Sequence, residues 1–185
     1  PKIADVPIKV KKRIIRDMDK VYYPTNPIVP YIQIVHDRIT QEIFRGCIRG
    51  CRFCQAGFVY RPVRDKSKET VIAQIEQSLA STGYDEVSLV SLSSMDYDPC
   101  ADVVEHMIAQ HEDDKISVAL PSLRMDGFSV DIARKIQKVR KTGLTFAPEA
   151  GSERMRSVIN KGICEEDIVK TANEVFASGW GRMKL

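Results

Sequence analysis

Apolar residues along the chain alternate between short runs of strand length and longer stripes with helical spacing. The short runs are rich in Val, Ile and Leu, and they cover residues 31–35, 39–44, 86–92, 116–120 and 144–147. Another run opens at Met183. Short runs with this composition are typical of buried strands. The pattern therefore predicts repeated strand and helix units from residue 31 onward.

The helical stripes begin after residues that cap helices and stop at glycine. Ser67 is the predicted cap of a helix over residues 67–82 that ends at Gly83. Asp98 with Pro99 opens a second helix. Three further helices are predicted at residues 130–141, 153–160 and 165–178, with Ser129 and Ser152 as caps and Gly143 and Gly179 as stops.

The order of these elements predicts an α/β fold built from parallel βα repeats, because such strands pair through right-handed crossovers. A complete eightfold barrel needs about 250 residues. The 185 residues of this chain would then form the first half of a TIM-like barrel. An open doubly wound sheet has the same alternation of strands and helices and remains an alternative. In both folds ligands bind at the carboxyl ends of the strands.

Two segments of the chain differ in composition. Residues 1–30 are basic and then proline-rich, which predicts an arm or linker, whereas residues 31–185 carry the core domain. The basic run at residues 9–16 is a candidate contact for an anionic partner such as RNA, although a solvated face is the commoner role of such a run. Because the chain starts at Pro1 and stops where a strand begins, we expect a piece of a longer protein.

Composition narrows the classes of protein that fit. A net charge of +3 and 43% hydrophobic residues are ordinary for a globular protein and give no electrostatic support for a nucleic-acid or membrane partner. No apolar stretch approaches the ~20 residues of a membrane span, so we expect a cytoplasmic protein. In that compartment five cysteines indicate metal binding or a reactive thiol rather than disulfides. Cys100 and Cys164 stand apart from the others and are expected to be small buried residues.

The other three cysteines form the most informative motif. Cys47, Cys51 and Cys54 are separated by three and then two residues, and Phe53 directly precedes the last of them. Their sulfurs can meet one centre only if the segment curls, which Gly46 and Gly50 allow because glycine tolerates positive φ. Thiolates favour zinc, copper(I) or iron–sulfur clusters over hard cations.

Zinc and an iron–sulfur cluster both fit thiolate ligands. A structural zinc site is normally closed by four ligands, and the available fourth donors, His36, Cys100 and His106, do not stand at zinc-finger spacing. A four-iron cluster held by three cysteines leaves one iron open to an outside ligand, which is a catalytic arrangement. The count of three therefore favours the cluster.

The cysteine motif, placed between a first strand and a first helix, closely resembles that of the radical S-adenosylmethionine (radical SAM) superfamily. The resemblance implies a 4Fe-4S cluster, S-adenosylmethionine as the ligand of the open iron, and reductive cleavage to a 5′-deoxyadenosyl radical that acts on an unknown substrate. It also implies an electron donor such as flavodoxin or ferredoxin, and it places Phe53 beside the adenine. The barrel would then be of radical SAM type.

A second segment strengthens the resemblance. Residues 148–155 read Pro-Glu-Ala-Gly-Ser-Glu-Arg-Met and are followed by Asn-Lys-Gly at 160–162. This sequence is similar to the segment after the fourth strand in the methylthiotransferase-like and cobalamin-associated branches of the superfamily. The similarity implies that Glu149 and Ser152 contact the cofactor. The chain most resembles an uncharacterised group that pairs a cobalamin-binding-like domain with a radical SAM core. Cobalamin is accordingly raised as a cofactor of the full-length protein.

One departure concerns the segment after the second barrel strand. Many superfamily members carry Gly-Gly-Glu there to hold the amino group of S-adenosylmethionine, whereas residues 91–97 read Ser-Leu-Ser-Ser-Met-Asp-Tyr. We expect the Ser93 and Ser94 hydroxyls to accept that hydrogen bond, although serine is also common in turns.

Other roles for the chain stay open. It could be a zinc-stabilised module that binds RNA or protein, or a relative whose cluster carries electrons without cleaving S-adenosylmethionine. Arginines near the motif would stabilise a reduced cluster by their charge or serve as surface groups: Arg45, Arg49, Arg52, Arg61 and Arg64.

Overall fold

The computed structural model describes residues 6–140 and 143–185. Seven strands and six helices alternate along this part of the chain. In order they are β1 Ile39–Glu42, β2 Phe44–Arg45, α1 Ala56–Val59, β3 Arg64–Asp65, α2 Lys68–Thr82, β4 Glu86–Val90, α3 Cys100–His111, β5 Ser117–Ala119, α4 Val130–Val139, β6 Leu144–Thr145, α5 Glu153–Val158, α6 Glu165–Ala177 and β7 Met183–Lys184. Two short 3₁₀ turns, Ser94–Asp96 and Met125–Gly127, follow β4 and β5.

Most helices begin at the cap residues that the sequence predicted. Ser67 accepts a hydrogen bond from the Thr70 amide at 3.2 Å, and Gly83 ends α2 with φ at +71°. Ser129 and Ser152 cap α4 and α5 in the same way. Helix α3 differs, since it begins at Cys100 with Pro99 at the cap position and no side-chain cap. The predicted capping role of Asp98 is therefore wrong. Helix α4 ends at Val139, and Lys141 of its predicted range lies outside the described residues.

The sheet confirms the parallel βα repeats. Strands β1, β4 and β5 pair in parallel in that order, with Thr40 opposite Ser88 and Val87 opposite Val118. Strands β6 and β7 form a second parallel pair, and a parallel bridge joins Leu123 to Phe146. Within the described ranges the strands do not close into a barrel.

The helices cover one face of the β1–β4–β5 sheet, as in a barrel wall. Ile39, Val87 and Leu89 point into a core with the apolar faces of α2, α3 and α4. The opposite face is an open groove lined by Thr40, Ser88 and other residues of β1, β4 and β5. A doubly wound sheet would carry helices on both faces, so the half-barrel prediction fits this arrangement. A second core under β6 contains Phe146, Val175 and Trp180.

The strand predicted at residues 31–35 is wrong. Residues 6–38 contain no helix or strand, and Tyr31, Ile32 and Val35 are exposed. Pro27 and Pro30 precede this run and cannot donate to a ladder, so its apolar composition alone does not make a strand. The first strand is β1. In the described part of the chain, no helix has the length and hydropathy needed to cross a bilayer.

The two isolated cysteines have different environments. Cys100, the first residue of α3, is 2% exposed in the core, which confirms the prediction that it is a small buried residue. Cys164 is only partly buried, and both its amide and its thiol donate to the Asp167 carboxylate at 3.0 Å. It caps α6 rather than filling a core position, which corrects the prediction.

The Cys100 thiol makes stability depend on alkaline pH. Burial raises the pKa of Cys100 to about 11, above the value of about 8.5 in an unfolded chain. The folded state binds this proton more tightly, so the stabilisation is complete below pH 8 and is lost as pH rises toward 11. Between those pH values the wild type should lose about 2–3 kcal/mol more unfolding free energy than Cys100→Ala. Urea titrations of both proteins measure the difference, and parallel pH curves would contradict it.

Candidate functional site

The cysteine loop is a segment closed at both ends by strands. It runs over residues 46–63 between β2 and β3, which pair antiparallel with Phe44 opposite Asp65 and Arg45 opposite Arg64. Gly46 has φ at +103°, and a Cβ there would lie 2.8 Å from the Tyr60 carbonyl oxygen. Only glycine fits this close approach of two backbone segments. The loop therefore leaves the carboxyl end of β1 and returns to it.

The three thiols lie within this loop. Cys51 is 8% exposed, Cys47 and Cys54 are partly buried, and all three are free. The Cys54 amide donates to the Cys51 carbonyl at 3.1 Å, and the Arg49 amide lies 3.5 Å from the Cys47 sulfur. Across the described ranges no three His, Cys, Asp or Glu side chains stand close enough to hold a metal ion. The sulfurs are thus in one loop but not at ligand spacing.

The donor set fits an iron–sulfur cluster by its chemistry. Three thiols in one partly accessible loop are soft ligands of the type that such clusters use. The candidate fourth donors for zinc are elsewhere: Cys100 lies in the core, and the His106 ring faces the Glu76 carboxylate at 3.4 Å. The ligand role of Cys47, Cys51 and Cys54 stays a prediction.

Arg49 ties the middle of the loop to the ends of two strands. Its guanidinium donates to the Asp96 carboxylate at 2.8 Å and to the Asp126 carboxylate at 2.9 Å. Asp96 lies in the turn after β4, and Asp126 lies in the turn after β5. Burial raises the pKa of Asp96, but hydrogen bonds from Arg49 and Ser93, together with the positive charges of Arg49 and Arg124, hold this pKa below its ordinary value.

Arg124 extends this network toward the second motif. It donates to the Asp126 carboxylate at 2.9 Å and to the Lys161 carbonyl at 2.6 Å, and its side chain is 8% exposed. Lys161 in turn donates to the Glu149 carboxylate at 3.1 Å. A continuous network of ion pairs and hydrogen bonds therefore connects the cysteine loop, the turns after β4 and β5, and the segment after β6.

The two sequence motifs are in direct contact. The Asn160 side-chain amide donates to the Gly50 carbonyl at 2.9 Å, and the Arg52 backbone amide donates to the Ile159 carbonyl at 2.9 Å. The Lys161 ammonium lies 5.9 Å from the centre of the Phe53 ring. Segments more than a hundred residues apart thus meet at the carboxyl ends of the strands, as a shared site requires.

The five predicted cofactor-contact residues differ in how exposed they are and in which hydrogen bonds they make. Phe53 is 55% exposed beside Lys161, and Glu149 is partly exposed with φ at +72°. The Ser94 hydroxyl donates to the Pro121 carbonyl at 2.7 Å, whereas the buried Ser93 hydroxyl helps to lower the pKa of Asp96. Ser152 is occupied as the cap of α5. Glu149 therefore offers the most accessible polar group of these, since Ser93 is 1% exposed, and all five cofactor contacts stay predictions.

Sequence reasoning missed the ion-pair network. The sequence predicted only that Arg49 stabilises a reduced cluster by its charge or lies at the surface. It predicted no role for Asp96, Asp126 and Arg124. A signal for the two carboxylates exists, since each follows a parallel strand by six or seven residues and such positions meet at one edge of the sheet.

Comparisons with known proteins agree with this architecture. A family model described as the radical SAM superfamily matches residues 42–184. The uncharacterized protein MJ0966 of Methanocaldococcus jannaschii is 32% identical over 174 residues, which cover 94% of this chain and 37% of that protein.

Solved structures of the radical S-adenosylmethionine methyltransferase TsrM from Kitasatospora setae have the same fold at 12% identity. The one with cobalamin and a [4Fe-4S] cluster bound matches with a TM-score of 0.61 over 77% of this chain and 29% of TsrM. The one with tryptophan and a SAM analogue bound also scores 0.61, over 76% and 28%. The chain thus spans roughly a third of the length of these relatives.

Proposed function

The chain belongs to the radical SAM superfamily, and from this premise we propose that its cysteine loop holds a 4Fe-4S cluster that cleaves S-adenosylmethionine reductively. The observation that carries the proposal is the contact between the two motifs. The Gly50 carbonyl, between the first two cysteines, accepts from Asn160 of the second motif. This contact supports the proposal because it would bring the cluster ligands and the cofactor contacts to one edge of the half-barrel.

The residues divide into cluster ligands and cofactor contacts. Cys47, Cys51 and Cys54 would bind three irons as thiolates, which leaves the fourth iron for the amino and carboxylate groups of S-adenosylmethionine. When bound, the cluster supplies the electron that breaks the sulfonium bond, giving methionine and a 5′-deoxyadenosyl radical. The protein's own task is to bind, orient and shield the reactants.

Glu149 and Phe53 would position the nucleoside part of S-adenosylmethionine. The Glu149 carboxylate accepts from Lys161 and keeps lone pairs for hydroxyl donors such as those of a ribose. The Phe53 ring is exposed enough to stack on an adenine. The Ser93 hydroxyl would accept a hydrogen bond from the amino group, in place of the Gly-Gly-Glu segment, with Ser94 and Ser152 as further cofactor contacts.

The arginines near the loop act differently from one another. Arg45 and Arg49 are neutralised by Glu42, Asp96 and Asp126, so their role is to hold the loop in place. In the described ranges, Arg52, Arg61 and Arg64 have no carboxylate partner and keep their charge beside the cysteines. Positive charge there would stabilise the reduced, more anionic state of the cluster.

Anaerobic reconstitution of the intact protein tests the proposal. We expect about four iron and four sulfide per chain, an electron paramagnetic resonance signal that changes when S-adenosylmethionine is added, and formation of 5′-deoxyadenosine under reducing conditions. One tightly held zinc without sulfide would instead support a zinc-stabilised binding module. An intact cluster that yields no 5′-deoxyadenosine would assign the chain to electron transfer alone.

Cobalamin is the further cofactor we propose for the intact protein. TsrM, which shares the fold, binds cobalamin together with its cluster. Purification in the presence of cobalamin should give a protein with the visible absorption of a bound corrinoid, and its absence after gel filtration would contradict this part of the proposal.

A further inference from the structure

Residues 12–25 are bound along the surface of the domain although they form no helix or strand. We call this segment the strap. The Asp19 carboxylate accepts a hydrogen bond from the Ser67 backbone amide at 2.7 Å, directly before α2. The Thr25 carbonyl accepts one from the Ser81 hydroxyl at 2.6 Å, in the last turn of α2. The strap therefore contacts both ends of this helix.

A buried amine anchors the middle of the strap. Lys66 is 2% exposed, and its ammonium donates to the Gln74 side chain at 2.8 Å and lies 4.7 Å from the centre of the Tyr23 ring. The Tyr23 hydroxyl donates to the Thr40 carbonyl at 2.9 Å, and Met18 is 1% exposed. A contact between a cation and an aromatic ring is stronger where water is excluded, so this anchor holds the strap more firmly than an exposed contact would.

The beginning of the strap contacts the returning half of the cysteine loop, residues 59–64, which we call the return limb. Lys12 donates to the Val59 carbonyl, and it also donates to the Arg61 carbonyl at 3.0 Å. These carbonyls lie at the carboxyl end of α1 and just after it. A lysine is favoured there because it satisfies carbonyls that have no partner within the helix and complements the helix dipole.

Arg64 joins the strap to the return limb a second time. Its guanidinium donates to the Ile15 carbonyl of the strap at 3.0 Å, and to the Tyr60 and Pro62 carbonyls at 3.0 and 2.9 Å. A Cβ at Gly46 would lie 2.8 Å from the same Tyr60 oxygen and 3.0 Å from the same Pro62 oxygen. The return limb thus lies between the strap and the residue that precedes the first cysteine.

The last cysteine of the loop is tied to the return limb through α1. This helix begins two residues after Cys54, and a Cβ at Gly57 would lie 4.0 Å from the Cys54 sulfur. Lys12 holds the other end of the same four-residue helix. A shift of the strap would therefore move the backbone at both ends of the cysteine motif.

We propose that the strap keeps the cysteine loop ordered for its cluster, with Lys12 as a positioning residue. The inference rests on the proposed function only for the identity of the bound group. With the strap in place, the return limb cannot leave Gly46 without breaking the charge-assisted hydrogen bonds from Lys12 and Arg64. A loop that is ordered beforehand loses less conformational entropy on binding, so the strap raises the affinity of the loop for its cluster.

Four variants of the intact protein test the strap. Lys12→Met removes the contacts with the return limb, and Lys12→Arg keeps a cation with several donors. Lys20→Met is the matched control, because Lys20 is an 84% exposed lysine of the same strap that pairs with Asp17. Tyr23→Leu removes the central anchor without changing the charge beside the cysteines.

Two measurements are made on each variant. Hydrogen exchange with mass spectrometry follows the backbone amides of residues 46–63 and of α2 to α4 in the cluster-free protein. Loss of iron to an excess of chelator is followed in the reconstituted protein. The first measurement needs no bound cluster.

Lys12→Met should speed exchange in residues 46–63 by about 10-fold or more while exchange in α2 to α4 stays unchanged. Iron loss should become faster with it. Tyr23→Leu should change both rates in the same direction, since it frees the strap as a whole. Lys12→Arg and Lys20→Met should stay within about twofold of the wild type.

Three results would overturn the inference. Unchanged exchange in Lys12→Met would show that the strap does not order the loop. Equal acceleration across all helices would mean that Lys12 serves only global stability. An effect of Lys12→Met without one of Tyr23→Leu would assign it to the lysine charge and not to the strap. Failure of the proposed function looks different, because the wild type would then take up no cluster while the exchange of the loop would still depend on Lys12.

Discussion

Replacing Cys51 by alanine is expected to leave the reconstituted protein with almost no bound iron, against about four iron atoms per chain in the wild type. Cys51 is the most buried of the three thiols and the middle one in sequence. Two remaining thiolates cannot hold a four-iron cluster in place of three. Iron and sulfide analysis after anaerobic reconstitution measures the loss, and the cluster absorption near 400 nm should disappear with it.

Cys100→Ala is the matched control for that experiment. Cys100 is also a buried free thiol, but it begins α3 and packs in the core, not in the cysteine loop. Its variant should keep the full iron content at a modest cost in stability. The Cys51 variant should keep the circular dichroism spectrum of the wild type, because the cores lie elsewhere. Full iron content in Cys51→Ala would refute its assignment as a ligand.

Replacing Arg49 by alanine should lower the free energy of unfolding by about 2–4 kcal/mol near pH 7. The change removes the cation shared by Asp96 and Asp126, whose side chains are 13% and 16% exposed. Asp126 keeps its pair with Arg124, whereas Asp96 loses its ion-pair partner in the described part of the chain. Arg49→Lys should recover only part of the loss, since an ammonium cannot reproduce the fork that reaches both carboxylates. Urea unfolding of the wild type and both variants gives the comparison.

The Arg45 ion pair provides the control for Arg49. Arg45 pairs with Glu42 three residues away, and about a third of each side chain is exposed, so Arg45→Ala should cost less than about 1 kcal/mol. Equal losses for the two alanine variants would mean that the Arg49 network does not hold the loop. The Arg49 contribution should also be lost as pH falls below the ordinary aspartate pKa and through the lower pKa of Asp96 in the folded state, because this pKa is held low only in the folded state.

Local signals in the sequence predicted the helices and most strands of this fold. Ser67 and Gly83 bound α2 because capping depends on residues within one turn of the helix end. The run at residues 31–35 has strand composition but no partner strand, and pairing is a tertiary property that composition does not contain. Strand length was overestimated for the same reason, since β4 ends at Val90 where its pairing with β1 ends.

The candidate site was predictable where its residues form a motif and not where they pair across the chain. The cysteines and the segment around Glu149 are readable as spacing patterns. Arg49 reaches partners 47 and 77 residues away, and no local pattern records which of many surface aspartates an arginine will meet. The contact of Asn160 with Gly50 is likewise set by the half-barrel bringing strand ends together.

The pairing of β2 with β3 has a consequence for the loss of the proposed cluster to oxygen. Those two strands hold residues 44 and 65 together by backbone bonds, and Gly46 is fitted against the returning chain, so the entropy of closing the loop is lost on folding rather than on metal binding. Oxidative destruction of a cluster would then damage a replaceable part and spare the scaffold. Repair would require only fresh iron, sulfide and reduced thiols, without refolding by chaperones.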